Sequence, residues 1–286
     1  MAMNINNLKI FINVADSGNI TRTASAMHIT QPSVSKAIKN LETDLGTQLF
    51  YRDKKNGMIL TDTGRRVLYY ARQIMLMEEK IYQTAYHRNN VLGGTLKIAS
   101  LPHGVLFFLV KALSRFKEKY PLVNVEITEG STLRVNRMVE NHEAEFGITL
   151  IPADDFEHIT LMKDRIVAIS RETISGGVVD LTKIKSNMLV CQSAWEIIRP
   201  VLEENKIKDM TRFNVVGEQT VRSMAREGLG IGLQAESIVS KNKEDYHIYP
   251  IDPHIETDFV LITNSFDDLS PAAKAFVDII NEMNKK

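Results

Sequence analysis

The sequence predicts three consecutive parts: an N-terminal winged helix-turn-helix, a long linker helix, and a larger α/β body. Short amphipathic segments followed by a hairpin signal fill residues 4–64. Residues 62–89 contain neither Gly nor Pro after Gly64, which favours one uninterrupted helix. From residue 95 onward strand and helix patterns alternate, as expected for a sheet covered by helices.

Two short helices are predicted at the start of the chain. Leu8, Phe11 and Ile12 lie on one face of the first helix, which makes that helix amphipathic. The second helix is shorter, and either Asn19 or Thr21 can cap its N-terminus.

A third helix is predicted between Thr30 and Gly46. Thr30 is a suitable N-cap, Pro32 lies in the first turn, and Gly46 ends the helix. One apolar stripe runs along it, at Val34, Ile38, Leu41 and Leu45. Its outward positions are polar or basic, at Gln31, Ser33, Ser35, Lys36, Lys39 and Asn40. Such side chains donate to phosphates and base edges, although a solvated amphipathic helix is the alternative for this pattern taken alone.

A β-hairpin follows the third helix. Residues 48–52 and 58–61 read as two short strands, and the turn between them ends in Asn56-Gly57, a hairpin signal. Together with the three helices, the hairpin completes a winged helix-turn-helix. The wing residues placed to meet a phosphate backbone are Arg52, Lys54 and Lys55.

Residues 4–64 resemble the DNA-binding domain of LysR-type transcriptional regulators. The resemblance rests on Leu8-Lys9-Ile10-Phe11, Thr21-Arg22-Thr23-Ala24, Thr30-Gln31-Pro32-Ser33-Val34-Ser35, Leu41-Glu42, Leu45-Gly46, Leu49-Phe50-Tyr51-Arg52 and Leu60-Thr61-Asp62-Thr63-Gly64. It departs from the family pattern at Asn19-Ile20, where Ser-Phe is usual, and at Lys36, where Arg is common. The residues we expect to contact DNA are Thr21, Arg22, Gln31, Pro32, Ser33, Ser35, Lys36, Lys39, Arg52, Lys54 and Lys55.

The charge distribution agrees with a nucleic-acid-binding head. The formal net charge of the 286 residues is zero, but residues 1–90 hold 12 Lys and Arg against 7 Asp and Glu. The remaining residues are correspondingly acidic. A basic head on an acidic body is the asymmetry expected of a modular regulator, with chance fluctuation as the alternative.

Composition also bears on the cellular compartment. The single cysteine, Cys191, excludes an internal disulfide framework and fits a reducing cytoplasm. No apolar run approaches the ~20 residues that span a bilayer. Residues 1–7 have neither the basic region nor the apolar region of a signal peptide. We therefore expect a soluble, cytoplasmic protein.

The predicted linker helix carries the spacing of a helix–helix seam. Its apolar positions alternate at three and four, at Val67, Tyr70, Ile74, Met77, Ile81 and then Thr84 or Ala85. The alternative is a helix that packs on its own protein's core. The resemblance implies antiparallel pairing of two such helices, assembly into a homotetramer, and recognition of an inverted repeat in promoter DNA. Leu92-Gly93-Gly94 then breaks the helix before the body.

The βα alternation of the body predicts parallel sheets with helices on both faces. The predicted strands include residues 214–216, and helices are expected over 194–204 and 221–227. The resemblance implies two Rossmann-like subdomains, like those of a periplasmic binding protein. The expected domains are 1–64 for DNA binding, 65–93 for the linker and dimerisation helix, and 94–286 for effector binding, with subdomain I at 94–164 and 253–286 and subdomain II at 165–252.

Ligands in such folds settle beyond the carboxyl ends of strands, where helix N-termini converge. The candidate effector-binding residues at these junctions are Ser100, Leu101, Pro102, Ser131, Thr132, Thr149, Gln192, Ser193, Gln219 and Thr220. Hydroxyl and amide groups beside free backbone N–H groups favour an anion, so we expect a metabolite carrying a carboxylate or phosphate. The alternative for each residue is a plain N-cap. Gln234 either lines the cleft or pairs with backbone, and Trp195 is expected to pack in the core.

Enzymatic activity is not expected. The sequence has no Gly-x-Ser-x-Gly elbow, no Walker A loop and no Gly-x-Gly-x-x-Gly after a strand. The histidines lack metal-ligand spacing, and Cys191 lies in an apolar strand as a core thiol. We expect no cofactor and no metal. The partners expected are promoter DNA, a small effector, further copies of the chain and, through promoter binding, RNA polymerase. An effector-independent DNA-bridging protein and, less favoured, a DNA-linked enzyme are the alternatives.

Overall fold

The head of the molecule is a small helical unit with a two-stranded wing. The computed structural model describes residues 3–53, 57–87, 92–150, 155–209, 213, 215–240 and 245–284. The chain divides into two compact units, one of residues 1–90 with 141–143 and one of residues 91–140 with 144–286. The elements of the head are α1 (Ile5–Ser17), α2 (Ile20–Ala26), α3 (Gln31–Leu45), β1 (Phe50–Asp53), β2 (Gly57–Leu60) and α4 (Asp62–His87).

Side-chain caps define the ends of the head helices. Asn19 accepts a hydrogen bond from Arg22 N, which settles which of the two candidate residues caps α2. Thr30 accepts from Ser33 N and caps α3, and Gly46 adopts the left-handed conformation that ends it, both as predicted. The core beneath is apolar and fully buried, at Leu8, Phe11, Val14, Val34 and Leu41.

Hydrogen bonds tie the wing to the helices. The carboxylate of Glu42 on α3 accepts from the backbone N–H groups of Leu49 and Phe50, at 2.8 and 3.3 Å. A Cβ on Gly64 would lie 2.1 Å from the carbonyl oxygen of Leu49, so only glycine lets α4 start there. Residues 48 and 49 precede β1, so this strand is shorter than predicted.

The body contains two five-stranded sheets. From the N-terminal side its elements are β3 (Gly94–Ser100), α5 (Pro102–Gly104), α6 (Val110–Lys119), β4 (Val123–Glu129), α7 (Thr132–Glu140), β5 (Phe146–Leu150) and β6 (Glu157–Met162). There follow β7 (Ile166–Ser170), β8 (Val179–Asp180), β9 (Met188–Leu189), α8 (Gln192–Glu204), α9 (Glu218–Arg226), β10 (Ile231–Ala235), α10 (Glu236–Val239), β11 (His247–Asp252), β12 (Phe259–Thr263) and α11 (Pro271–Asn284). The strand orders are β4-β3-β5-β12-β6 and β8-β11-β7-β10-β9.

Both sheets are mixed, so the prediction of parallel sheets holds for some strand pairs and is wrong for others. In the first sheet β12 runs antiparallel to β5 and β6, and in the second β7 runs antiparallel to β10 and β11. The reason lies in the two crossovers. β6 ends, and β12 begins, where the chain passes between the sheets, so the two strands run in opposite directions. The same holds for β7, which begins at the first crossover, and β11, which ends at the second.

The two crossovers hold each other by backbone hydrogen bonds. Ile166 N donates to Ile255 O at 2.8 Å, and Thr257 N donates to Asp164 O at 3.0 Å. Arg165 adds a two-point ion pair to Glu236, with nitrogen–oxygen distances of 2.8 and 2.9 Å. The crossovers therefore form one short paired segment between the subdomains, the arrangement expected of a hinge.

Several body elements differ from prediction at their ends. In the predicted strand 214–216, Val215 forms an isolated bridge to Cys191 and Val216 is not in a strand, while residue 214 lies outside the described residues. Helices α8 and α9 begin at Gln192 and Glu218, earlier than predicted, because their first turns are polar and the apolar pattern starts later. In the described part of the chain, no helix is long and apolar enough to span a bilayer.

Candidate functional site

The outer face of α3 is exposed and carries cations that the head itself does not neutralise. Arg22, Lys36, Lys39 and Arg52 are exposed, and among the described residues none of them has an ion-pair partner. By contrast, Lys9 pairs with Glu78 at 2.9 Å and Arg72 pairs with Asp16 at 2.6 Å. Exposed, unpaired cations on α2, α3 and the wing fit the electrostatic footprint of a nucleic-acid surface.

The polar residues predicted for this face are also accessible. Thr21, Gln31, Pro32 and Ser33 are exposed, and Ser35 is half-buried. The Ser33 hydroxyl lies 2.8 Å from Thr30 Oγ1, so in this structure it belongs to the cap of α3. Lys54 and Lys55, predicted for the wing, lie outside the described residues.

Only part of the apolar stripe of α4 packs on the head. Its first part packs on the head, where Val67 and Ile74 contact the core cluster. Further along, Tyr70, Met77 and Ile81 expose 57%, 48% and 68% of their surface. These three residues stand seven and four positions apart, on the predicted seam.

In the body, the ends of β3, β4 and β5 bring six of the ten predicted effector residues together. β3 pairs in parallel with β5, which puts Ser100 opposite Ile148. Gly130 N donates to Ser100 O at 3.0 Å, so the start of α7 lies at the same edge. This edge gathers Ser100, Leu101, Pro102, Ser131, Thr132 and Thr149.

The helix after β3 approaches the sheet unusually closely. A Cβ on Gly104 would lie 2.6 Å from Ser100 Oγ and 2.8 Å from Ile148 Cγ2. Beyond Gly104 the helix passes through a π-helical segment, Val105–Leu109, before α6. Such π segments are frequent at functional sites.

The hydroxyl groups at this edge differ in what they bind. Ser100 Oγ donates to Leu101 O at 2.9 Å, and Ser131 Oγ accepts from Arg134 N at 3.4 Å, as an N-cap would. Thr132 Oγ1 and the fully buried Thr149 Oγ1 have no hydrogen-bond partner within the described part of the chain. The plain N-cap alternative therefore accounts for Ser131 but not for the two threonines.

The other predicted residues lie at two helix starts in subdomain II. Gln192 and Ser193 are in the first turn of α8, and Gln219 and Thr220 are in the first turn of α9. None of these side chains caps its helix, since the N-caps are Cys191 and Gly217 without side-chain bonds. These four residues thus lie in the first turns of their helices and not at the N-cap positions.

Two carboxylates link the subdomains across the cleft. Glu196, on α8, accepts a hydrogen bond from the backbone N–H of Leu133 in the first turn of α7, at 3.1 Å. The carboxylate of Glu218, the first residue of α9, contacts Nδ1 of His103 on α5. Both side chains of that pair are less than a fifth exposed. Behind Glu218, Gln234 Nε2 donates to its carbonyl oxygen at 2.6 Å, and Gln234 is 1% exposed.

The sequence did not predict a role in the cleft for Glu196, Glu218 or His103, because the prediction considered only groups that bind an anion. Glu196 stands four residues after Gln192, one helical turn along α8, so its position was available from the helix period. The pairing of Glu218 with His103 depends on how the two subdomains approach, and no local pattern contains that. The Gln234 amide donates to a backbone carbonyl, which confirms the alternative that it pairs with backbone.

Cys191 and Trp195 behave as core residues. Burial raises the pKa of the Cys191 thiol, whose Sγ lies 3.3 Å from Ser193 Oγ. A raised pKa leaves little thiolate, so the group is a poor nucleophile. Trp195 packs against the main core cluster, as predicted. Among the described residues, no group of three His, Cys, Asp or Glu side chains is placed to hold a metal ion.

A winged helix-turn-helix with an unneutralised basic face, joined in one chain to a two-subdomain α/β body, defines a ligand-responsive DNA-binding regulator. Family models agree with this class: residues 5–65 match the bacterial regulatory helix-turn-helix of the lysR family, and residues 89–285 match the LysR substrate-binding domain. The chain therefore belongs to the LysR-type transcriptional regulators. This family comprises regulators, not enzymes, and both the fold class and the family resemblance set out from the sequence are confirmed.

Whole-length relatives support the same assignment. The chain is 34% identical to the HTH-type transcriptional regulator YoaU of Bacillus subtilis, over 98% of each chain. It is 31% identical to YvbU of the same organism, over 98% of this chain and 99% of that one. Among solved structures, a full-length single-residue variant of OxyR from Pseudomonas aeruginosa aligns with a TM-score of 0.74 at 20% identity, over 98% and 95% of the chains. CbnR complexed with its target DNA aligns with a TM-score of 0.61 at 18% identity, over 98% and 99%.

Proposed function

We propose that the chain regulates transcription in the cytoplasm by binding an inverted repeat in promoter DNA, under the control of a small metabolite. The observation that supports the DNA-binding surface is the set of exposed, unpaired cations on α2, α3 and the wing. In this proposal α3 enters the major groove, with Gln31, Pro32, Ser35 and Lys36 nearest the bases. Thr21, Arg22, Ser33, Lys39 and the wing residues Arg52, Lys54 and Lys55 contact the backbone alongside.

Replacing Lys36 by alanine tests this surface. A lysine that contacts a phosphate releases about one counterion on binding, so Lys36→Ala should lower the slope of log affinity against log salt by about one. If Lys36 instead contacts a base, the variant should bind altered half-sites almost as well as the original one. Fluorescence anisotropy with operator DNA over a salt series measures both. The matched control is Lys185→Ala, an exposed lysine of the body. A variant identical to wild type in affinity, slope and specificity would remove Lys36 from the interface.

The exposed seam of α4 supports dimerisation. We propose that two copies pair through Tyr70, Met77 and Ile81, and that two such dimers form a tetramer. Paired heads read two half-sites at once, which multiplies the modest specificity of one small module.

The cleft of the body supports control by a metabolite that carries a carboxylate or phosphate. Support comes from the edge that holds Ser100 and Thr149, and from the first turns of α7, α8 and α9 around it. In this proposal the ligand draws the subdomains together about the paired crossovers, which changes the spacing of the heads, the bend of the promoter and contact with RNA polymerase.

The effector-binding assignment is tested by a double variant. Ser100→Ala combined with Ser193→Ala should abolish the response of a reporter promoter to the inducing metabolite and leave operator affinity unchanged, because both serines lie in the body. Reporter induction and anisotropy are measured on the same preparations. An intact response would contradict the assignment of these residues.

A further inference from the structure

The first turn of α7 already holds a carboxylate that belongs to the chain itself. Glu196 reaches from subdomain II and accepts from Leu133 N at 3.1 Å. A helix N-terminus favours negative charge, because its first N–H groups lack intrahelical partners and the helix dipole is positive there. Glu196 therefore stands where the anionic group of an effector would be expected to bind.

Two unpartnered hydroxyl groups mark the same place as a ligand site. Thr149 follows Gly147 by two residues on β5, on the sheet face that α7 covers, since a Cβ on Gly147 would contact Val135 and Val139 of that helix. Thr149 is fully buried and its Oγ1 has no partner within the described residues. Thr132 Oγ1, in the first turn of α7, is a buried atom that also lacks one there. Buried hydroxyls are normally hydrogen-bonded, so this pair indicates a missing acceptor.

The opposite wall of the cleft offers acceptors and negative charge. Glu218 presents a carboxylate that is only 18% exposed and contacts His103. Gln234 holds the start of α9 through its Nε2, and its buried Oε1 lacks a partner in the described part of the chain. A simple anion that entered here would meet the like charge of Glu218, whereas a ligand with a cationic group as well would compensate it.

We propose that the effector is a zwitterion of the α-amino acid type and that Glu196 is its built-in competitor. This inference rests on the proposed function. The effector carboxylate replaces that of Glu196 at the first turn of α7, where it accepts from Leu133 N and from the hydroxyls of Thr132 and Thr149. The effector ammonium group pairs with Glu218. In the absence of effector, Glu196 occupies the anion position.

The first experiment restores the missing carboxylate as a separate molecule. Glu196→Ala removes the atoms of an acetate ion, so sodium acetate at millimolar concentration should raise the melting temperature of full-length Glu196→Ala by mass action. Wild type and Glu204→Ala, which alters an exposed carboxylate on the same helix, should not respond beyond a sodium chloride control. Absence of acetate rescue would overturn the anion position at α7.

The second experiment compares amino acids with their deaminated partners on the full chain. The pairs are L-aspartate and succinate, L-glutamate and glutarate, L-alanine and propionate, and L-leucine and 4-methylpentanoate, with the remaining standard amino acids screened alongside. At least one amino acid should bind about tenfold or more tightly than its deaminated partner in calorimetry, a difference of ~1.4 kcal/mol. Equal binding of each amino acid and its deaminated partner would overturn the proposal of a zwitterionic effector and leave control by an anion standing. Acetate rescue without binding of any amino acid would overturn the amino acid class.

Substitutions of Glu196 and Glu218 should change the affinity for the amino acid in opposite directions. Glu196→Gln weakens the competitor and should tighten amino acid binding several-fold, whereas Glu218→Gln removes the ammonium partner and should weaken it by about tenfold. Glu204→Gln should leave it unchanged. Weaker binding in both variants would overturn the competitor role of Glu196. Since both substitutions keep side-chain size and lie in the body, operator affinity measured on the same samples separates failure of this inference from failure of DNA binding.

Discussion

At the scale of single residues, a buried polar group without a partner marks the proposed effector site. Thr149 is fully buried, and its hydroxyl has no partner among the described residues. Leaving a buried polar group unsatisfied costs about 1–3 kcal/mol. Such a group persists in a stable protein when function needs it, which is the interpretation we give to this side chain.

Thr149→Val separates stability from binding. The change keeps the branched shape and removes the hydroxyl, so the unliganded protein should gain about 1 kcal/mol in unfolding free energy. Effector response should weaken in the same variant. Urea unfolding and reporter induction measure the two effects. A loss of stability in Thr149→Val would show that Thr149 Oγ1 has a partner. The matched control is Thr263→Val, which should lower the free energy of unfolding, because Thr263 Oγ1 donates to Glu145 O at 2.9 Å.

Cys191 should react slowly with thiol reagents. Burial raises its pKa above the ordinary 9.0, so at about pH 8 the thiolate fraction is small and the sulfur is shielded as well. Labelling by iodoacetamide in the native protein should be many times slower than in urea. Fast native labelling would contradict the burial of this side chain.

At the scale of elements, α4 buries some of its apolar residues in the head and leaves others exposed. Val67 and Ile74 serve the core of the head, while Tyr70, Met77 and Ile81 remain exposed in the single chain. The heptad pattern predicted the seam but not this division, because periodicity gives the face of a helix and not the neighbour that covers it. The neighbour is decided by tertiary packing.

A charge on the exposed seam should separate the copies. Ile81→Glu puts a carboxylate where an apolar contact is proposed, and a buried unpaired charge is strongly unfavourable in an interface. Sedimentation velocity should show a shift towards smaller species, with operator affinity falling as the second half-site contact is lost. The head should stay folded, since Ile81 is 68% exposed. The control is Lys80→Glu, a neighbouring charge change off the seam; equal disruption by both variants would count against the seam.

The hinge should respond to acid. Hydrogen bonds from Arg165 hold the pKa of Glu236 below its ordinary value of 4.5. A lowered carboxyl pKa means that the pair stabilises the fold above pH 4.5 and loses this effect as the pH falls through the lowered pKa. Because both side chains are exposed to solvent, their contribution to stability is small. The melting temperature of wild type should therefore be slightly higher than that of Glu236→Gln near neutral pH, and this difference should vanish in acid. A difference that grows in acid would contradict the sign.

At the scale of the whole molecule, the head and the body differ in how much the sequence reveals. The head is built from local signals, namely the caps at Asn19 and Thr30 and the stop at Gly46, and these specify its helices directly. The body depends on contacts far apart in sequence. Its antiparallel strands follow from where the chain crosses between sheets, and the contacts of Glu196 and Glu218 follow from how two subdomains meet.

The paired crossovers also make subdomain I depend on the end of the chain. β12 lies between β5 and β6 and contributes the fully buried Phe259 and Leu261. A chain ending at residue 252 should therefore expose the edges of both neighbouring strands and lose its folded body. Limited proteolysis with mass spectrometry should show a degraded body and a protected head fragment. A body as resistant as that of the full chain would contradict this dependence.

The position of β12 also sets an order of events during synthesis. A ribosome releases the N-terminal head first, so the head is able to fold while most of the body is still to be made. Subdomain I has to wait with an open gap in its sheet until the last strand emerges, after all of subdomain II. A nascent or prematurely terminated chain is thus expected to bind DNA before it is able to bind the effector. We expect such fragments to bind operators without responding to the effector.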